Sequence, residues 1–505
     1  METIKPARIQ SLTEQTFWFA TAKTIAFVLT LAAPLLLVRL LSQTELGLYK
    51  QAFLVAASAQ RILTLGFGLS AFYFFPRMLG KEQPVVANIV ILSAVMGLLA
   101  WVAMAASPPM LKSLFGTQDL EAHAGLLGAV VFLWVFSSFI EIAPAAMQET
   151  KASTILIVTM QFARMIFMVG AALWSASLTA SLWAAVLQGV LQSAVLIRFL
   201  LTRFPGFWRC LSGSEFRVQF HYILPLTVAY FIGVVSMDAP QYLIAHHFGP
   251  ALYAVFTIAT FKLPQIHILH ESIGLVLITT VSRLHHEGRE REIVLVLVSA
   301  MRKTAAIAFP VFLGLVVVSQ EFIIACYTRN YASAAPLFAI NLIQLPLTAL
   351  IYEPLVRTFE SVRKMLVWVR ILLLLLLVVA VWLSTGQGSM KGAIYAIVVA
   401  AALERITICG RMAHILGLTW RDARLFKDIG KITIACVSGS IVVWILKTVL
   451  ASQGPWLILI VCGAVFCVVY VAGALLLKVP SQQEMEIGQR MLKRLLPKRL
   501  EVGTV

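Results

Sequence analysis

Leu41-Ser42-Gln43-Thr44-Glu45-Leu46-Gly47-Leu48-Tyr49-Lys50-Gln51-Ala52-Phe53 (LSQTELGLYKQAF) decides how this chain is read. Its polar first half interrupts two long apolar runs, near 17–38 and 46–68. A bilayer core of about 30 Å takes about 20 mainly apolar residues in a helix. Each run therefore has the length of one membrane span, and LSQTE is the tip of a hairpin between them.

The same ruler, moved outward, predicts fourteen spans. Four more lie near 85–106, 124–146, 152–174 and 180–200. Six follow near 221–237, 251–281, 304–324, 332–352, 365–384 and 392–413, and two near 430–450 and 455–477. Outer-membrane barrel strands are shorter and alternate every second residue, so these runs predict an all-α polytopic membrane protein. Pro264 predicts a kink in the eighth span. No connection is long enough to hold a sizeable soluble domain.

Composition agrees. Of 505 residues, 60% are hydrophobic, 12% are charged, and the mean hydropathy is +0.90. Soluble domains carry about twice that charged fraction. A soluble multidomain enzyme and a disordered chain are both excluded. The N-terminal polar stretch before a long apolar run reads as a retained first span rather than a cleaved signal. The six cysteines form no C-x-x-C pair and mostly sit in apolar runs, which favours packing over disulfide or metal roles.

The net charge is +17, from 40 Lys+Arg and 23 Asp+Glu. On a soluble protein that would suggest nucleic acid. Here most of the cations fall in alternate connections, such as Arg198, Arg203, Arg209, Arg217, Arg283, Arg289, Arg421 and Lys427. The opposite connections hold few: Arg39, Lys112, Arg329, Lys391 and Lys447. That asymmetry is the positive-inside pattern and places both termini in the cytoplasm. The basic end carries Met485, Met491, Leu492 and Leu495 at helical spacing, which fits either an amphipathic helix on an anionic leaflet or a solvated tail.

Leu48-Tyr49 and Leu252-Tyr253 follow matching hairpins. Two lobes of six spans are the simplest reading, with a substrate site between them as in repeat-built transporters. The expected divisions are an N-lobe over 1–200, a cytoplasmic linker over 201–220, a C-lobe over 221–413, two added spans within 430–477, and a basic tail over 478–505.

At this point the chain resembles a known group. Six plus six spans with two added ones are similar to the polysaccharide-transporter (Wzx-type flippase) branch of the MOP, MATE-like exporter superfamily. The motif L-S-x-x-E-L-G-x-Y stands here as Leu41 to Tyr49, and G-P-x-x-x-Y as Gly249-Pro250-Ala251-Leu252-Tyr253. Asp238 matches an acid often seen near the end of span seven. Thr328-Arg329-Asn330 departs from the pattern where a glycine is common. The resemblance implies a transporter rather than an enzyme. It would flip an undecaprenyl-diphosphate-linked oligosaccharide across the bacterial cytoplasmic (inner) membrane for O-antigen, capsule or exopolysaccharide assembly. Implied partners are the lipid-linked oligosaccharide, membrane lipids, and a polysaccharide polymerase with its chain-length regulator, with no nucleic acid. No cofactor is expected; a proton or sodium gradient is the expected energy source.

A lipid diphosphate needs fixed cations, and each Lys or Arg at the bilayer centre costs about 2.5–3.5 kcal/mol on insertion scales. In the resembled fold spans one, two, seven and eight line the cavity. Lys23, Arg61 and Lys262 are therefore the first candidates for diphosphate or acidic-sugar contacts, and Arg164 and Arg370 the next. Snorkelling or pairing with a buried acid is the competing role; Glu141 is the expected acid for Arg164. His267, His270 and Glu271 share a face of span eight and suit a coupling proton or a plain polar cluster. No complete metal-ligand set accompanies them. A multidrug exporter of the same fold, a lipid II flippase and, last, a membrane glycan polymerase or ligase are the alternatives.

Overall fold

The computed structural model describes residues 32–78 and 80–479. Among these residues the structure is helical, with no strand. The principal helices are α1 (Gln43–Leu63), α2 (Gln83–Ala106), α3 (Ala124–Ser137), α4 (Thr150–Trp174), α5 (Leu178–Arg203), α6 (Gly213–Ala259), α7 (Pro264–His286) and α8 (Glu290–Val317). They continue as α9 (Ser319–Tyr327), α10 (Ala334–Asn341), α11 (Gln344–Leu347), α12 (Glu353–Thr358), α13 (Glu360–Gly386), α14 (Met390–Ile415), α15 (Lys427–Val449) and α16 (Pro455–Leu476).

Ten helical stretches among the described residues are long and apolar enough to cross a membrane, and α1 joined to its bent continuation Phe67–Arg77 makes an eleventh. The other expected spans differ in informative ways. The first, 17–38, lies mostly outside the described residues. The tenth, 332–352, is the pair of short helices α10 and α11. The seventh and eighth, expected at 221–237 and 251–281, are redrawn. α6 runs from Gly213 past a kink at Gly249 (φ 71°, ψ 177°) to Ala259, and the chain is non-helical over 260–263 before α7. Pro264 explains that gap. It has no N–H to give to the preceding turn, and its ring drives Leu263 out of the helical region, to ψ 103°. The helices present apolar side chains outward: Trp174 is 92% exposed, and Leu99, Val102, Leu375 and Ile460 are also exposed. An apolar surface of that extent belongs in lipid.

The described residues form two compact units. The first comprises those up to Thr260 with Cys326–Ala334 and Leu374–Ile397. Its core gathers Phe67, Phe75, Val86, Ile89, Phe139, Leu196 and Phe204. Here α1 packs along α6, α2 on α3, and α5 on both α3 and α4.

The hairpin motifs acquire physical reasons in this unit. Ser42 and Glu45 form a capping box at the start of α1: Ser42 Oγ accepts from the Glu45 N–H (3.2 Å), and Glu45 Oε2 accepts from the Ser42 N–H (2.9 Å). Gly47 is where the Pro250 backbone presses against α1; a Cβ there would sit 1.8 Å from the Pro250 carbonyl oxygen. Gly249 takes the left-handed φ that turns α6 toward that contact. Buried polar side chains hold α6 further along. Gln219, fully buried, donates to Ser70 Oγ (3.1 Å) and accepts from Asn88 Nδ2 (2.9 Å). Gln51 donates to the Ala245 carbonyl (3.4 Å). Thr328, standing where a glycine is common, has φ 77° and ψ 163°, a region that suits glycine alone.

The second unit comprises Phe261–Ala325, Ala335–Leu373 and the described residues from Val398 on. Its larger core holds Leu277, Val281, Ile293, Leu297, Ile351, Leu355, Val362 and Ile408. α8, α15 and α16 pack together beside it. The Tyr470 hydroxyl donates to the Ala306 carbonyl (2.7 Å). The α8–α9 break at Val318 is closed by Lys447, which donates to the Val317 carbonyl (2.9 Å) and pairs with Glu321 (2.9 Å).

Candidate functional site

Arg61 lies in the last turn of α1, three residues after Ser58 on the same face. α6 brings Asp238 opposite both. Arg61 Nη2 donates to Asp238 Oδ2 at 2.7 Å, and Ser58 Oγ donates to the same oxygen at 2.7 Å. Arg61 Nε is held by the Ala57 carbonyl (3.2 Å). Asp238 is 4% exposed, whereas the Arg61 side chain is 34% exposed. Asp238 Oδ1 is buried and has no hydrogen-bond partner among the described residues. Among the described residues the pair is thus a guanidinium engaged through Nε and one terminal nitrogen, and a carboxylate using one of its two oxygens.

A second cationic place lies elsewhere in the same unit. Arg164 on α4 stacks over the Trp134 ring at 4.4 Å. It lines a cavity of about 100 Å³ with Glu141, Gln161, Gln188 and Gln192. Gln188 donates to Gln192 Oε1 (2.6 Å), and Gln188 Oε1 is buried without a partner among the described residues. The expected Glu141–Arg164 pairing takes a looser form: the two share the cavity, and among the described residues no ion pair within 4 Å joins them.

The remaining candidates are dispersed. Lys262, expected mid-span, is exposed in the non-helical stretch between α6 and α7. Arg370 lies in the second unit, where it donates to Glu404 Oε1 (3.0 Å), an oxygen that also accepts from the Tyr352 hydroxyl (2.7 Å). Lys23 lies outside the described residues. His267, His270 and Glu271 fall on α7, but their side chains lie outside the described set. Among the described residues no group of His, Cys, Asp and Glu could hold a metal ion.

Sequence reading noticed Asp238 without assigning it to Arg61, and missed Ser58, Trp134, Gln161, Gln188 and Gln192. The glutamines carried a usable signal: Gln188 and Gln192 are one turn apart in an apolar run, and Gln161 precedes Arg164 by three.

Fold and surface define a multi-pass membrane protein. Structural comparison gives the fold. Over 94% of this chain and 99% of the other, it is similar to "Lipid II flippase MurJ, inward closed conformation", with a TM-score of 0.73 at 13% identity. A "multidrug resistance MATE family transporter of the MOP superfamily" in its inward-facing conformation matches with a TM-score of 0.59 at 13% identity, over 78% of this chain and 94% of that one. A MOP superfamily transporter from Pyrococcus furiosus matches at 0.52 and 15% identity, over 80% and 94%. The fold is therefore that of the MOP superfamily. No curated protein sequence matches the chain. Residues 36–336 match the polysaccharide biosynthesis protein family, and the chain belongs to it.

Proposed function

We propose that this protein flips an undecaprenyl-diphosphate-linked oligosaccharide across a bacterial inner membrane, exposing its substrate site alternately to the two faces. Family membership and the transporter fold support a polysaccharide precursor as cargo. The observation that carries the reading is Arg61. Its planar guanidinium suits a phosphate group bidentately, yet among the described residues only one of its terminal nitrogens is engaged, on Asp238. A diphosphate approaching the open side meets donors already oriented. Lys262, exposed in the second unit, is the other first candidate to test.

Both termini lie in the cytoplasm in this reading, as the charge asymmetry favours. The delivered glycan passes to a polymerase and its length regulator on the far side, for O-antigen, capsule or exopolysaccharide. A proton or sodium gradient drives the cycle, with Glu271, His267 and His270 as the first residues to test for proton coupling. Lipid II, also a diphosphate-linked saccharide, is the second reading, favoured by the structural likeness to MurJ.

The test is translocation of fluorescent undecaprenyl-diphosphate oligosaccharide and of lipid II in separate proteoliposome assays. The oligosaccharide moves and lipid II does not; Arg61→Ala and Lys262→Ala slow the transfer. Full activity in both variants removes the residue assignment. Transfer of lipid II alone selects the second reading, and transfer of neither overturns both.

A further inference from the structure

A cavity of about 550 Å³ in the second unit has no part in the site described above. One wall is α8, from Val294 to Met301. Another is the end of α14, with Cys409 and Met412. The 3-10 turn Trp420–Phe426 adds a third. The lining is apolar almost throughout. Asp422 at its rim is already engaged, by Arg291 and by the Thr419 N–H. A hollow of that size and character calls for an apolar occupant.

The end of α16 leads the chain to this cavity. Lys478 takes a left-handed φ of 53°. Its N–H donates to the Leu475 carbonyl (3.0 Å), and the Val479 N–H donates to the Ala474 carbonyl (2.9 Å). That is a Schellman turn, which folds the chain back against its own helix. Val479 is buried in one cluster with Ala305, Ala349 and Ile432, and its carbonyl accepts from Arg302 Nη1 (2.7 Å). The cavity wall begins at the neighbours of these residues: Met301 precedes Arg302, and Leu350 follows Ala349. Val479 thus stands, buried and fastened, at the edge of the hollow.

The sequence that follows suits it. Residues 480–505 lie outside the described residues. On a helical projection Met485, Met491, Leu492, Leu495 and Leu496 share one side, and Arg490, Lys493 and Arg494 share the other, up to Pro497. A helix from Met485 to Leu496 would be about 16 Å long, against about 10 Å of α8 wall between Val294 and Met301. Residues 480–484 can span up to about 17 Å, enough to carry Met485 from Val479 to that wall. Charge agrees. Between Val479 and Arg490 the sequence holds Glu484 and Glu486 and no Lys or Arg, while Arg421 and Arg424 are exposed beside Asp422. A segment tethered this closely acts at an effective concentration of about millimolar.

We propose that this cavity is the docking site of the chain's own C-terminal segment, with Met485, Leu492 and Leu495 seated in it and Arg490, Lys493 and Arg494 turned outward. The docked segment fastens α8, α14 and the turn Trp420–Phe426 to one another and shuts the hollow to lipid. The docking is independent of what the protein carries.

The experiment uses the full-length protein in nanodiscs. Cys409, a native thiol in the cavity wall, is the probe. Single variants Met485→Cys, Leu492→Cys, Leu495→Cys and Lys493→Cys are oxidised with copper phenanthroline. Mass spectrometry of the joined peptides separates Cys409 from the other cysteines. At least one of the three apolar positions joins to Cys409 within one chain, and Lys493→Cys does not. The second measurement is alkylation of Cys409 by a maleimide in the wild type and in a variant combining Met485→Asp, Leu492→Asp and Leu495→Asp. The variant reacts faster by about tenfold or more, since burial of one Leu side chain alone shifts such an equilibrium by a factor of about ten. No join at Cys409 together with an unchanged alkylation rate overturns the docking. A join between two chains overturns it in favour of a second copy. Alkylation that quickens only when lipid is removed overturns it in favour of acyl chains. Joining from Lys493→Cys as readily as from the apolar positions overturns it in favour of a segment that only passes nearby.

Discussion

Arg61 on α1 and Asp238 on α6 meet at 2.7 Å across 177 residues of sequence, and Ser58 donates to the same carboxylate oxygen. The pair joins two helices that also touch at Gly47 and Pro250. Coupling between the two charges is therefore expected to show in stability. A double-mutant cycle of Arg61→Ala and Asp238→Ala, followed by denaturation in detergent, gives an interaction energy of about 1–2 kcal/mol, moderated because the arginine is a third exposed. Additive losses would mean the contact contributes nothing to holding α1 on α6.

Gly47 is expected to tolerate no side chain. A Cβ 1.8 Å from the Pro250 carbonyl oxygen forces α1 and α6 apart, and backbone cannot swing aside as a side chain can. Gly47→Ala lowers the yield of folded protein and its Tm sharply. Gly170→Ala, where nothing lies within 4 Å, is the matched control and leaves Tm nearly unchanged. Equal behaviour of the two variants contradicts the close approach.

Thr328→Gly is expected to stabilise the protein. A β-branched residue in this glycine-only region costs about 1–3 kcal/mol. Its hydroxyl is also buried without a partner among the described residues. Glycine gives back about 0.5–1 kcal/mol through the greater freedom of the unfolded chain, which leaves a net gain of about 1 kcal/mol. The measurement is thermal unfolding of the two proteins side by side; a lower Tm for the glycine variant rejects the strain.

Lys447 and Glu321 test a different balance. Lys447→Met strands the Glu321 carboxylate, which is 13% exposed, and removes the donor on the Val317 carbonyl. A loss of about 1–3 kcal/mol is expected, at or below the range for breaking buried pairs because both groups keep some solvent. Adding Glu321→Met to the same protein recovers most of it, since an apolar pair in an apolar setting needs no counter-charge. A double variant as unstable as the single one shows that the carbonyl cap, rather than the carboxylate, is what matters.

Much of the fold was legible along the chain. Leu41 to Phe53 showed a hairpin tip and the start of a span, because membrane transfer is a local property that adds residue by residue; the capping box of Ser42 and Glu45 and the close approach at Gly47 came from the structure. The gap at 260–263 was half-legible: Pro264 announced a disturbance, and only the structure shows that the helix ends there and leaves Lys262 outside it. The candidate site was less readable. Arg61, Arg164 and Arg370 look alike in sequence, each a lone arginine in an apolar run. The structure gives the first an aspartate, the second an aromatic face and a polar cavity shared with Glu141, and the third a glutamate with a tyrosine.

The sequence by itself determined that this protein is helical, crosses a membrane many times and carries its charge asymmetrically, since each of these follows from the transfer energy of successive segments. Only the tertiary structure decided which cations meet an acid within ion-pair distance and which rest on an aromatic ring. That outcome depends on which helix faces meet, and residues separated by 177 positions have no way to signal it locally.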